Sequence, residues 1–149
     1  MPPIEITKAD YDAGRIGADF THPPCAAHLN ARFESHDSAA GILRISFVPR
    51  PEFANPGGTV QGGFIAAMMD DTMGPVVFAA TGGAKVPVTC DLNTSYFAAP
   101  KIGARCYVEA RIEKLGGSIA FTSAALFNEA GDVLAKATQT ARLVDAPKR

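Results

Sequence analysis

The residues best suited to chemistry lie in one stretch, NPGGTVQGGFIAAMMDD, running from Asn55 to Asp71. Asn55 puts a polar side chain in a glycine-rich loop. Gly62 and Gly63 stand where a helical pattern begins, and Asp70 and Asp71 interrupt its apolar middle. The first N–H groups of a helix have no intrahelical acceptor, and the helix dipole adds partial positive charge there. Glycine lets a ligand approach that backbone closely. Such an end can polarise a carbonyl and hold the oxyanion of an acyl transfer. Close helix–sheet packing is the plainer use of the same glycines.

A carboxylate pair in an apolar helix asks for more explanation. An unpaired buried carboxylate is expensive, so such groups are paired, neutralised or functional. One member of the pair is expected to be structural or exposed and the other functional. Helical spacing sets Asp70 in line with Ala66, Met73 and Val77, and Asp71 with Ala67 and Gly74. Periodicity does not choose between them. Eight positions separate Gly62 from Asp70, or about 12 Å of helical rise. If both act on one substrate atom, they must come from two different subunits.

The elements that position these residues follow from pattern. Residues 62–81 form the only long helical segment, apolar on nearly every side and stopped by Gly82 and Gly83. Before it, residues 31–35 and 41–48 read as strands, with a turn at 36–40. Residues 49–58 form a loop rich in Pro and Gly. After it come strands at 86–97, 106–115, 119–127 and 133–144, with Gly116-Gly117 as a hairpin turn. The first thirty residues read as a helical lead-in: Thr7 and Asp10 resemble a capping box, and Pro23-Pro24 open a short helix through Leu29. This is one α+β domain over residues 1–149, with its core at 31–144. A sheet of about six strands on one helix leaves a face uncovered or an edge unpaired, which points to a partner subunit.

The bulk composition narrows the function. The 149 residues are 47% hydrophobic and 19% charged, with 14 basic and 15 acidic side chains. There is no basic stripe for nucleic acid. The longest apolar run, residues 64–80, is broken by Asp70 and Asp71 and reads as a buried helix rather than a membrane span. The amino terminus does not look like a signal peptide. Cys25, Cys90 and Cys106 form no CxxC pair and are expected to be free, mostly buried thiols of a reducing compartment. A cytoplasmic location follows as an expectation.

The stretch resembles the hotdog-fold thioesterases, specifically the phenylacetate-degradation (PaaI) type and related acyl-CoA thioesterases. Their pattern is an Asn, a short Gly-containing loop, His-Gly-Gly, and an Asp nine residues after that His. Here Asn55, Gly58, Gln61-Gly62-Gly63 and Asp70 stand at those positions. The likeness continues through Val88 to Phe97, Pro100, Gly103, Gly117, Ala120 and Phe121, and covers roughly residues 30 to 144.

The resemblance implies one central helix wrapped by a curved antiparallel sheet. It also implies homodimers, often paired into homotetramers, with acyl-CoA across the subunit interface. It selects Asp70 over Asp71, as general base for water or as nucleophile. Gly62 then supplies the N–H that polarises the thioester carbonyl, with Asn55 assisting. Thr89 matches a position where a hydroxyl of the partner strand helps hold the water. Gln61, Gly63 and Asn93 are expected to bind substrate. No metal or other cofactor is expected. Gln61 replaces the family His; it can hydrogen-bond but cannot titrate near neutral pH, so its expected role is orientation.

Other residues read more plainly. His22, His28 and His36 show no metal-ligand spacing. Cys90 reads as a packing thiol, and Met68, Met69 and Met73 as core that also suits an adaptable acyl tunnel. Asp91 reads as structural. Lys101, Arg105 and Lys114 are ordinary solvated charges that could meet CoA phosphates. The expected function is hydrolysis of acyl-CoA to free acid and CoA. A non-catalytic acyl-CoA binding or sensing module of the same fold is the alternative, motivated by Gln61. A hydratase ranks last, because no His lies between Asn55 and Asp70.

Overall fold

A computed structural model of the protein describes residues 23–147. The amino-terminal part of the expected lead-in, with Thr7, Asp10 and His22, lies outside the described residues. Its last turn is present as the short helix α1, Pro24–His28, with Leu29 at its C-cap.

Strands β1 (Ala31–Asp37) and β2 (Ile42–Phe47) follow. β1 extends two residues beyond the expected end, so His36 pairs with Leu43 instead of turning. A register shift between Phe33 and Ser35 lets the added residues stay in the ladder. A short 3-10 turn, Pro51–Phe53, leads into the Asn55 loop.

Helix α2 runs over Gly62–Ala80. Gly82 at φ 65° and Gly83 at φ 76° end it, since the left-handed conformation suits residues without a Cβ. Ile65, Met68, Met69, Met73, Val76 and Val77 are buried. Pro75 lies inside the helix. It has no N–H to give the Asp71 carbonyl one turn back.

The chain then enters β3 (Lys85–Tyr96), β4 (Cys106–Leu115), β5 (Ile119–Asn128) and β6 (Val133–Asp145). The six strands make one antiparallel sheet in the order β1-β2-β4-β5-β6-β3. α2 packs on the inner side, touching every strand from β2 to β6. This is the expected α+β hotdog architecture.

Among the described residues β3 is therefore an edge strand, joined only to β6. Pro87 can occupy it because an edge strand need not donate on both sides. Val88, Tyr96 and the following Phe97 are exposed apolar residues along this edge.

Candidate active site

α2 and β3 run past one another, and two contacts tie them. Near the helix start, the Tyr96 hydroxyl donates to the Gly62 carbonyl at 3.0 Å. A Cβ on Gly62 would stand 3.3 Å from a Tyr96 ring carbon, so the glycine sits under a close approach. Two turns further along, the Thr89 hydroxyl donates to Asp70 Oδ1 at 3.1 Å. The register shift between Thr89 and Asp91 leaves Cys90 unpaired in the β3–β6 ladder.

Asp70 lines a cavity of about 390 Å³. The walls are largely apolar: Gly74, Pro75 and Phe78 from α2, Val86 and Pro87 from β3, and Cys25 and Ala26 from α1. Thr89, Asp71 and Gln139 complete the polar part. Gln139, on β6, donates from Nε2 to Asp70 Oδ1 and, at 3.1 Å, to Thr89 Oγ1. Sequence pattern did not single out Gln139. The signal was available, since β6 buries Ala135, Ala137, Gln139, Ala141 and Leu143 in one alternating row, and an amide is the only polar member.

Asp71 has the opposite environment. Its Oδ2 is sealed from solvent and has no hydrogen-bond partner among the described residues. Burial, with the neighbouring charge of Asp70 adding to it, pushes its carboxyl up to about 7. Near neutral pH this carboxyl is in part protonated, and it titrates beside Asp70.

Asn55 organises its own loop. Its Oδ1 accepts from the Gly57 and Thr59 N–H groups at 3.0 and 3.1 Å, and its Nδ2 donates to Thr59 Oγ1 at 3.0 Å. An amide nitrogen carries two hydrogens, so one remains for a ligand. Gln61 is the exposed N-cap residue of α2 and makes no side-chain capping bond. Gly63 beside it is exposed. Gly62 lines a separate hollow with Val60, Ile65, Tyr96 and Phe97. Within one chain, then, the helix tip and Asp70 open onto different spaces. Asn93 is exposed on β3, alternating with Leu92, which packs on the core. It lies about 13 Å along the strand from Thr89, and the fold does not bring it to Asp70.

One expectation is corrected. Of the three free thiols only Cys106 is buried, whereas Cys25 and Cys90 are exposed. Cys25 sits on the short helix that rims the cavity, and Cys90 at the strand irregularity where inward alternation lapses. Among the described residues no cluster of three or more His, Cys, Asp or Glu could hold a metal. No described helix is long and apolar enough to cross a membrane.

The thioesterase superfamily model matches residues 57–135, which span the glycine pair, both aspartates and most of the sheet. The chain belongs to the thioesterase superfamily. It is 32% identical over 107 residues to acyl-coenzyme A thioesterase 13 of Homo sapiens, covering 71% of this chain and 76% of that one. Among solved structures, a phenylacetic acid degradation-related protein of Ralstonia eutropha superposes with a TM-score of 0.79 at 28% identity. That match covers 90% of this chain and 97% of the other. Zebra fish thioesterase superfamily member 2 gives a TM-score of 0.74 at 25% identity, covering 92% and 95%. In this thioesterase the helix start and the mid-helix acid line two separate hollows.

Proposed function

We propose that this thioesterase hydrolyses acyl-CoA thioesters at a site shared by two subunits, with Asp70 as general base. The observation that carries the reading is the Asp70 carboxylate. It stands beside Asp71 in a mostly apolar helix, held by Thr89 and Gln139, in the lining of a largely apolar cavity able to take an acyl group. The kinship to acyl-coenzyme A thioesterase 13 supports the choice of thioester.

In this mechanism Asp70 takes a proton from water as the water oxygen bonds to the thioester carbon. The carbonyl oxygen gains negative charge and is met by the Gly62 N–H of the neighbouring subunit, assisted by the remaining Asn55 Nδ2 hydrogen. The C–S bond then breaks, and the thiolate of CoA leaves and takes the proton. The products are the free acid and CoA. The two-subunit arrangement is supported by the separate hollows lined by Gly62 and Asp70, and by the long β3 edge with exposed Val88 and Tyr96. A homodimer, or a homotetramer built from it, meets that need.

Thiol release measured across a panel of aliphatic and aromatic acyl-CoA substrates tests the reading. Asp70→Ala should abolish hydrolysis while the far-UV spectrum and Tm stay near wild type. Unchanged turnover in that variant rejects Asp70 as base. A second reading, acyl-CoA binding without turnover, is favoured by Gln61 standing where the family has His. It predicts thermal stabilisation by acyl-CoA with no thiol released by the wild type.

A further inference from the structure

We propose that Gln139 is a positioning residue for Asp70: it locks Oδ1 and orients the Thr89 hydroxyl so that Asp70 Oδ2 is the oxygen that works. The inference rests on the thioesterase reading above and assigns a residue to it from β6.

Gln139 is 3% exposed, one of four buried polar residues among those described. Its strand neighbours on the inward face, Ala137 and Ala141, are small and apolar. An amide in such a row is unfavourable unless its hydrogens are satisfied. They are satisfied by the other two members of the cluster. The nitrogen carries two hydrogens, and two acceptors face it, Asp70 Oδ1 and Thr89 Oγ1. The opposite amide orientation would set a carbonyl oxygen against a carboxylate, so charge dictates which end faces Asp70.

The proton count then settles Thr89. Its oxygen accepts from Gln139, so its single hydrogen goes to Asp70 Oδ1. Two donors thus converge on Oδ1, and among the described residues none reaches Oδ2. Hydrogen bonds to an ionised acceptor are the strong ones, so the carboxylate is fixed in rotation with Oδ2 turned away from the pair. Thr89 keeps one lone pair and has no hydrogen left to give. A water at this place donates one hydrogen to Oδ2 and the other to Thr89 Oγ1. That geometry presents its oxygen lone pair to an incoming carbonyl carbon.

The test uses the full chain and the best acyl-CoA of the panel. Gln139→Met keeps the length and removes both donors. It should lower kcat by ~10- to 100-fold and change KM less than about threefold, because the lost order matters in the transition state. Thr89→Val should show the same split, and Thr89→Ser should restore kcat to near wild type. Gln139→Met combined with Thr89→Val should lose no more than about threefold beyond the worse single variant, since the two act as one unit. A folded Gln139→Met with wild-type kcat, or a loss that falls wholly on KM, overturns the proposal. Should Gln139→Met fail to fold, the Thr89 pair decides: equal kcat for Val and Ser overturns it. Asp70→Asn separates the two levels. If Asp70→Asn is inactive while Gln139→Met is fully active, only the positioning role falls; if Asp70→Asn is active, the base assignment falls with it.

Discussion

Asp70 and Asp71 are chain neighbours with opposite surroundings: Oδ1 of Asp70 accepts from two side chains, while Oδ2 of Asp71 is sealed with no partner among the described residues. A helical step of 100° separates them, and although both line the same cavity, that turn leaves Asp70 exposed and Asp71 more deeply buried. The pair therefore divides into a hydrogen-bonded carboxylate and a titrating neighbour.

The titrating neighbour makes stability depend on pH. The Asp71 carboxyl moves from an ordinary 3.8 to about 7 on folding. Between those values the folded chain holds a proton that the unfolded chain has lost, so this group's contribution declines as pH rises through the window. Above about 7 the penalty is complete. Asp71→Asn removes it, so the stability difference between variant and wild type should widen from about pH 4 to about pH 8, by on the order of 3 kcal/mol. Urea unfolding of both proteins across that range measures it. A constant difference contradicts the assignment.

Gly62 is sheltered by Tyr96, whose ring would lie 3.3 Å from an added Cβ. Gly62→Ala gains helix propensity of up to ~1 kcal/mol and must push an exposed ring aside. The two effects oppose, so Tm should move by no more than about 4 °C. If the Gly62 N–H meets the thioester carbonyl as proposed, the methyl group also crowds it, and kcat should drop by about tenfold or more. Equal kcat for the alanine variant removes Gly62 from the oxyanion role.

A site built from two chains can be rescued by mixing. Asp70→Ala and Gly62→Val should each be inactive alone. Exchanged subunits form heterodimers in which one of two sites has both native groups, so the mixture should regain roughly a quarter of wild-type activity. No recovery, in a mixture shown by mass spectrometry to contain heterodimers, places both halves in one subunit.

Gln61 caps α2 without a side-chain capping bond. If its part is orientation through hydrogen bonding, Gln61→His should leave kcat within about threefold of wild type and add no new ionisation to the pH profile near neutrality. A large gain in kcat that tracks imidazole titration would show that the His supplies a proton transfer this chain does without.

The elements were legible because each carries its own local period. α2 follows from a long apolar segment, interrupted by the two acids and bounded by glycines at both ends, and β2 from alternation over residues 41–48. The anomaly of two acids in an apolar helix was also visible, and the family pattern pointed to Asp70. Strand ends differed by a residue or two, as at His36, because pairing continues where a partner is available and not where alternation stops.

What the residues alone determined is the inventory: a helix start rich in glycine, a mid-helix carboxylate, and enough strand to wrap them. Only the tertiary structure decided which groups meet. Thr89 and Gln139 reach Asp70 from 19 and 69 positions away, because β6 crosses back between β5 and β3. Periodicity records which way a side chain faces, but sheet order and register arise from the packing of the whole chain, so no local pattern could join those three residues.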